Sequence, residues 1–255
     1  MIIRKKGAIE IVVMMVMMVS LIILSCKQEK SSDNISIESK QEILEKNKFV
    51  ERIDTCGLMM LYPHFSKIDL VYETMPQKSD DSVLLVAEAA YTRDTLKVFK
   101  HERIAGDHVS GGRRYKGYPC KNNTGAFVYY NNKWKFCYET YTNELDSAAQ
   151  NGGMGFSQEM LIHLGEKCKT VRNDDSINIY RSLCEYKNKL YVVESLDSIS
   201  LKEFKQRLMD IGVKEAIYLD MGNGWNYSWY RTNDSIVELH EKSHDHCTNW
   251  IVFYK

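Results

Sequence analysis

An aspartate at the end of a predicted strand is the first candidate for chemistry in this sequence. Residues 215–220 form a largely apolar stretch that ends at Asp220, and two glycines with aromatic and amide side chains follow it. Glycine lets the backbone turn tightly or approach a ligand closely, and a carboxylate at such a rim can act as acid, base or charge stabiliser in glycosyl transfer. We predict that Asp220 is catalytic, with a purely structural turn as an equal alternative. Four residues of the turn are predicted to bind substrate: Gly222, Asn223, Trp225 and Trp229.

A second glycine-rich segment, residues 104–118, contains an acid, a histidine and several cations. Asp107, His108, Arg113 and Arg114 lie in it around a glycine pair. Such a loop could hold a phosphate, with an arginine as a paired donor and backbone amides lining the turn; a solvated basic loop is equally compatible. Asp107 is the predicted second catalytic carboxylate, and the other three residues are predicted to bind substrate.

The third glycine-rich segment, residues 151–159, ends in Gln158 and Glu159, which are also predicted to bind substrate. The spacing of a Walker loop or a dinucleotide fingerprint is present in none of these segments. The sequence also contains no Gly-x-Ser-x-Gly elbow and no His-Glu-x-x-His motif, so the common serine hydrolases and zincins have no support. We expect no cofactor.

A histidine-rich stretch near the end of the chain raises the question of a metal site. It contains His240, His244, His246 and Cys247. The first two would share a face only on a helix, whereas the surrounding Ser, Asp and Thr favour a loop. We therefore predict no metal site.

The amino-terminal residues have the pattern of a bacterial lipoprotein signal. Three basic residues lie within the first six, and an apolar run over 11–24 precedes Cys26. The run has the length of a signal h-region and is shorter than the roughly 18 residues of a spanning helix. We predict a signal peptide over 1–25, a lipid on Cys26 and a polar tether over 26–40. Lys27 favours the outer membrane, so the domain over 41–255 would work in the cell envelope.

Composition limits the choice of partner and suggests disulfides. The chain has 34 basic and 34 acidic residues, which gives no electrostatic case for nucleic acid. Six cysteines remain after Cys26, an even number that makes disulfides plausible in an oxidising compartment, with buried free thiols as the alternative. These six are Cys56, Cys120, Cys137, Cys168, Cys184 and Cys247.

The periodicity predicts mostly strands with a few helices, which corresponds to an α+β class: a mixed, sheet-rich single domain with packed helices. Helices are expected near 39–53, 143–149 and 198–211, the last with Ser198 at its N-cap. Asn131 and Asn132 predict a hairpin turn between two strands. The glycines over 152–155 are expected to break regular structure. The other predicted strands cover 68–72, 83–91, 95–99, 126–130, 133–138, 189–194, 215–220 and 250–254.

The order of these motifs resembles the phosphodiester glycosidase family over about 96–254. That family typically shows Asn-Gly-Gly-Phe-Phe, then Gly-Pro-x-Leu, then Arg-Thr before a strand, and then a helix leading into Leu-Asp-Gly-Gly-Gly-Ser. Four segments of this chain stand in the same order: 105–108, 153–161, 181–182 and 219–224. The first segment lacks the Asn and the aromatics, and Met221 replaces a glycine in the last.

The resemblance implies a hydrolase that acts on a sugar linked through a phosphodiester or a related glycosidic bond. It adds Arg181 to the predicted catalytic residues, with Arg181 and Arg113 holding phosphate and Trp225 and Trp229 stacking on sugar. The expected partners are a carbohydrate or sugar-phosphate substrate and a membrane. Because the motifs have diverged, the alternative is a non-catalytic glycan-binding or envelope-assembly lipoprotein that uses the same cleft.

Overall fold

Antiparallel strands dominate the molecule. The structure, a computed structural model, describes residues 49–72, 74–91, 104–117, 124–221, 227–240 and 247–255. Of these described residues, 51% lie in strands and 11% in helices. The expected α+β class with a few packed helices is therefore wrong, because only two helices occur in the described ranges. These ranges hold no helix long and apolar enough to cross a membrane.

The first nine strands are β1 Val50–Thr55, β2 Leu58–Pro63, β3 Lys67–Tyr72, β4 Val83–Glu88, β5 His108–Ser110, β6 Arg113–Tyr115, β7 Thr124–Tyr130, β8 Lys133–Tyr138 and β9 Met154–His163. The next nine are β10 Glu166–Lys167, β11 Ile177–Asn178, β12 Arg181–Tyr186, β13 Lys189–Ser195, β14 Ile199–Ser200, β15 Glu215–Leu219, β16 Trp229–Arg231, β17 Ile236–Glu238 and β18 Asn249–Tyr254. The helices are α1 Thr142–Gln150 and α2 Leu201–Asp210.

Two sheets enclose the main core. One has eleven strands along the order β1-β2-β13-β12-β15-β9-β5-β6, with β7, β8 and β10 attached through β9. The other has five strands in the order β17-β16-β4-β18-β3. A large apolar cluster takes Phe156, Leu183 and Ile217 from the first sheet and Ala87 and Ile251 from the second. Burial of this surface is the main force that holds the two sheets together.

The helices cover the other side of the large sheet. In α2, Leu201, Phe204 and Leu208 pack into a second apolar cluster with residues of β12, β13 and β15. Its N-cap is Ser200, whose hydroxyl accepts a 3.1 Å hydrogen bond from the Glu203 N–H. The expected cap at Ser198 is therefore displaced by two residues, because the Ser-x-x-Glu capping box begins at Ser200.

Glycine allows a close contact at the start of β9. A Cβ on Gly155 would lie 2.8 Å from the Phe127 carbonyl oxygen and 2.9 Å from Leu145 of α1. These distances are shorter than real side-chain contacts, so the helix can pack on the strand only at glycine. The expected break over 152–155 is confirmed at 152–153, where Gly152 has a φ of +66°, and is wrong at 154–155, because β9 begins at Met154 and contains Gly155.

Candidate active site

Two carboxylic residues meet where a strand of each sheet ends. Glu88 is the last residue of β4, and Asp220 follows the last residue of β15. The Asp220 N–H donates a 2.9 Å hydrogen bond to the carbonyl of Ala89, the residue next to Glu88. The five-stranded and eleven-stranded sheets are thus joined by a backbone contact between Asp220 and the residue after Glu88.

Glu88 is an acid that holds its proton at neutral pH. Its side chain is buried, and the residue is only 2% exposed. Burial first, and then the charge of Asp220, raise the pKa of Glu88 to about 9, against the opposing effects of a hydrogen bond with Cys247 and the charge of Arg181. The Cys247 thiol donates to Glu88 Oε2 at 3.4 Å. Glu88 can therefore serve as a proton donor beside Asp220.

A buried ion-pair network lies next to this pair of acids. Arg181, at the start of β12, is 0% exposed; its Nε donates to Glu194 Oε2 at 2.8 Å, and its Nη2 lies 2.5 Å from the same oxygen in an ion pair. His240 Nε2 lies 2.7 Å from the other carboxylate oxygen of Glu194. Burial alone would raise the pKa of Glu194, but Arg181 and His240 hold it below its usual value. Glu194 thus stays ionised and fixes the side chains of both partners.

Two polar side chains connect the network to the end of β4. Ser228 Oγ accepts hydrogen bonds from Arg181 Nη1 at 2.6 Å and from the Glu88 N–H at 3.4 Å. The buried Asn249 amide accepts from the Ala90 N–H at 2.7 Å and donates to the Ala90 carbonyl at 2.9 Å. Together these contacts set the position of the backbone that carries Glu88.

A second charged cluster adjoins Asp220 on the α2 side of the large sheet. Glu159 Oε1 accepts from the backbone N–H groups of Val171 and Arg172 at 2.7 and 2.9 Å. Arg172 lies over the ring of Tyr218, 4.5 Å from its centroid, and donates to the Tyr91 hydroxyl at 2.6 Å. The pKa of Tyr218 is raised, chiefly by burial. The charge of Arg172 opposes this rise, and the charge of Asp220 adds to it. Tyr218 therefore links this cluster electrostatically to Asp220.

Comparison with known proteins identifies the fold alone. The chain is similar to the zebrafish N-acetylglucosamine-1-phosphodiester alpha-N-acetylglucosaminidase catalytic domain auto-inhibited by pro-peptide, with a TM-score of 0.55, 15% identity and 82% of each chain covered. The two chains share a fold. A hypothetical protein from Synechocystis is also similar, with a TM-score of 0.48, 11% identity, and coverage of 81% of this chain and 61% of that one. No protein-family model and no curated protein matches the chain.

The structure places the predicted site residues in separate groups. Asp220 and Arg181 lie near Glu88, where the charge of Asp220 raises the pKa of Glu88 and that of Arg181 lowers it. Asp107 instead bonds to Arg114 Nη2 and to the Gly117 N–H, each at 2.7 Å. The backbone still connects this group to β9, because the Ser157 N–H donates to the Asp107 carbonyl at 2.9 Å.

The remaining predicted substrate contacts differ in accessibility. Arg113 is exposed, whereas His108 is buried and stacks on Tyr115 with 4.9 Å between ring centroids. Burial lowers the pKa of His108. Gln158 and Trp229 are buried, and in the described part of the chain neither Gln158 Nε2 nor Trp229 Nε1 has a hydrogen-bond partner.

Several predicted residues lie outside the described ranges. They are Cys26, Gly222, Asn223 and Trp225, together with the signal peptide over 1–25 and the tether over 26–40. Cys120, His244 and His246 lie outside these ranges as well.

Histidines and cysteines have structural partners in the described part of the site. No group of His, Cys, Asp or Glu within the described ranges could hold a metal ion. His240 bonds to Glu194 and Cys247 bonds to Glu88. No disulfide joins any two of the five described cysteines; Cys184 and Cys247 are among these free thiols.

Sequence reasoning missed the side chains that complete the site. Glu88 had a usable signal, because it is a lone acid at the end of the apolar run Val-Leu-Leu-Val-Ala. Glu194 likewise ends the apolar part of β13, and it lies directly opposite Arg181 in the strand register. Ser228 and Asn249 carry no local signal, since only the packing of the two sheets brings them to the site.

Proposed function

We propose that this chain is a hydrolase of glycosidic bonds, acting on a sugar linked through a phosphodiester or a related bond. The observation that carries the proposal is the meeting of two carboxylic residues, Glu88 and Asp220, at the junction of the two sheets. Many glycosidases use such a pair, one member as general acid and the other as base or nucleophile. The fold shared with a phosphodiester glycosidase domain supports this chemistry by analogy.

In the proposed reaction, Glu88 gives its proton to the oxygen of the leaving group. Its protonated state at neutral pH makes it the donor of the pair. Asp220 either stabilises the developing positive charge on the sugar or activates the attacking water. After bond cleavage, water supplies the hydroxyl at the anomeric carbon, and its second proton restores the acid.

We assign Arg181 a positioning role within this proposal. Its Nε donates to Glu194 and its Nη1 to Ser228, its Nη2 forms an ion pair with Glu194, and the side chain is fully buried. A buried guanidinium whose donors are occupied can orient its neighbours but is poorly placed to bind a substrate phosphate. Arg113, which is exposed, is the proposed phosphate contact.

The proposed location is the cell envelope, where lipid on Cys26 would hold the chain at a membrane, with the outer membrane favoured. The lipobox-like residues before Cys26 support this. Replacing Cys26 with Ser should move the protein from the membrane fraction to the soluble fraction. Unchanged membrane retention and no incorporation of labelled palmitate in the wild type would contradict lipid anchoring.

The activity is tested with the full-length chain and a panel of methyl phosphodiesters of N-acetylglucosamine and hexose 1-phosphates. We expect release of free sugar by the wild type, and a fall in kcat of at least about 100-fold in both Asp220→Asn and Glu88→Gln. Asp197→Asn and Glu166→Gln are matched controls, because both side chains are exposed strand-end or turn residues. Their rates should equal that of the wild type.

Two outcomes would overturn the proposal. Equal turnover by the wild type and both site variants would remove Glu88 and Asp220 from the mechanism. No turnover by the wild type, together with glycan binding that Asp220→Asn weakens, would instead favour the non-catalytic glycan-binding alternative.

A further inference from the structure

A cleft opens at the other end of the hairpin that carries Arg181 and Glu194. It has a volume of about 520 Å³ and includes the β12–β13 turn at Asn188. Its aromatic lining consists of Tyr62, Phe65, Tyr129 and Trp134. Arg181 begins β12 and the turn follows its last residue, so the strand separates the cleft from the candidate active site by roughly 20 Å.

The aromatic walls of the cleft are fixed by packing. Trp134 Nε1 donates a 2.7 Å hydrogen bond to Glu185 Oε2, which sets the plane of the indole. The ring of Phe65 packs against Tyr129, Trp134 and Phe253 with centroid distances of 6.2, 6.4 and 5.3 Å. A ligand that stacks on these rings therefore meets a preformed surface and loses little affinity to ordering.

Polar groups at the rim of the cleft are available to a ligand. Asn188 is exposed, with a φ of +58°, and within the described ranges its side chain makes no hydrogen bond. Lys189 Nζ lies 4.3 Å from the centroid of the Tyr62 ring, and no carboxylate in the described part of the chain forms an ion pair with it. Asn132 adds a second amide from the β7–β8 turn, with a φ of +56°, and its Oδ1 accepts a 3.4 Å hydrogen bond from the Tyr129 hydroxyl.

Ring faces beside amide and ammonium donors are the chemistry that recognises a sugar, whose C–H face is apolar and whose edge carries hydroxyl groups. We propose that this cleft is a binding site for an oligosaccharide, separate from the candidate active site. Its volume lies within the range of small-molecule sites, about 300–1,000 Å³. The site would hold a glycan by contacts at Trp134, Tyr62 and Asn188 without performing chemistry on it.

The proposal is tested by calorimetric titration of the full-length chain in detergent with chitotriose and with maltotriose. We expect saturable binding of at least one trisaccharide. Asn188→Gly should weaken it by about twofold to tenfold, the effect of one lost hydrogen bond, because glycine keeps the turn conformation and removes only the amide. Lys187→Gly is the matched control: Lys187 lies in the same turn with a φ of +50° and does not line the cleft.

Trp134→Ala should abolish binding, and thermal unfolding of this variant shows whether it remains folded. Asp220→Asn should bind as the wild type does, which separates this site from the catalytic proposal. The proposal is overturned if neither trisaccharide binds at millimolar concentration, or if Asn188→Gly and Lys187→Gly bind equally well. Binding that Asp220→Asn removes and Asn188→Gly leaves intact would place the sugar only at the candidate active site and would overturn it too.

Discussion

The two ends of the β12–β13 hairpin differ in burial: one end holds buried charges and the other holds exposed polar residues. At one end, Arg181 and Glu194 face each other in the strand register and are almost fully buried. At the other end, Asn188 and Lys189 are exposed beside half-buried aromatic rings. Buried charges depend on each other, because each would be costly alone. Exposed turn residues have no such dependence, so the two ends should respond very differently to substitution.

The largest effect is expected from Arg181→Met. This change leaves the Glu194 carboxylate buried without its guanidinium partner, and the free energy of unfolding should fall by about 3–5 kcal/mol. Urea denaturation measures this difference. Lys135→Met is the control, because Lys135 is exposed and pairs with Glu144, and the change should cost less than about 1 kcal/mol. An equal loss in the free energy of unfolding in the two variants would show that the buried ion pair matters no more to stability than a surface ion pair.

A pH-dependent effect of intermediate size is expected at Glu88. Its pKa is raised from 4.5 to about 9 in the folded protein, so between these values the folded state binds a proton that the unfolded state releases. The free energy of unfolding should therefore fall as pH rises, by up to about 1.4 kcal/mol per pH unit. Glu88→Gln removes this slope. Urea denaturation from pH 5 to 8, with Glu166→Gln as control, should show the wild type losing stability relative to Glu88→Gln; parallel curves would mean that Glu88 is ionised.

The smallest effect is expected at the aromatic end. Asn188→Gly should change the free energy of unfolding by less than about 0.5 kcal/mol, because glycine adopts a φ of +58° without strain. Asn188→Val should cost about 1–2 kcal/mol, since a β-branched residue is strained there. Thermal unfolding of both variants sharpens the comparison: a large loss in the glycine variant would reveal a structural role for the Asn188 amide.

Local sequence signals predicted the elements whose cause is local. The hairpin turn at Asn131 and Asn132 is confirmed, with φ values of +51° and +56°. The apolar stripe of α2 is also confirmed, and Gly212 ends the helix with a φ of +88°. The expected helix through Ile53 is wrong in its last residues, because β1 begins at Val50 and pairs with β2. Whether such a segment becomes helix or strand depends on its pairing with a distant strand. The periodicity of one segment carries no information about that pairing.

The candidate site was only partly predictable for the same reason. Asp220 stands at the end of a continuous apolar run, and that pattern places it at a rim without knowledge of the partner strands. Glu88 and Ser228 reach it through the packing of one sheet on the other, 132 and 8 residues away along the chain by their numbering. Arg181 was predicted by resemblance as a phosphate contact, but its complete burial with Glu194 depends on the neighbouring strand.

The length of β12 also sets the distance between the two proposed glycan sites. If both proposals hold, a glycan is hydrolysed at the active site beside one end of this strand and bound in the aromatic cleft beside the other end, roughly 20 Å away. A short saccharide can occupy either end but cannot reach both. Only a longer chain would gain effective concentration at the cutting end from being held at the other. The enzyme would then prefer polymers over fragments through a distance set by six residues of strand.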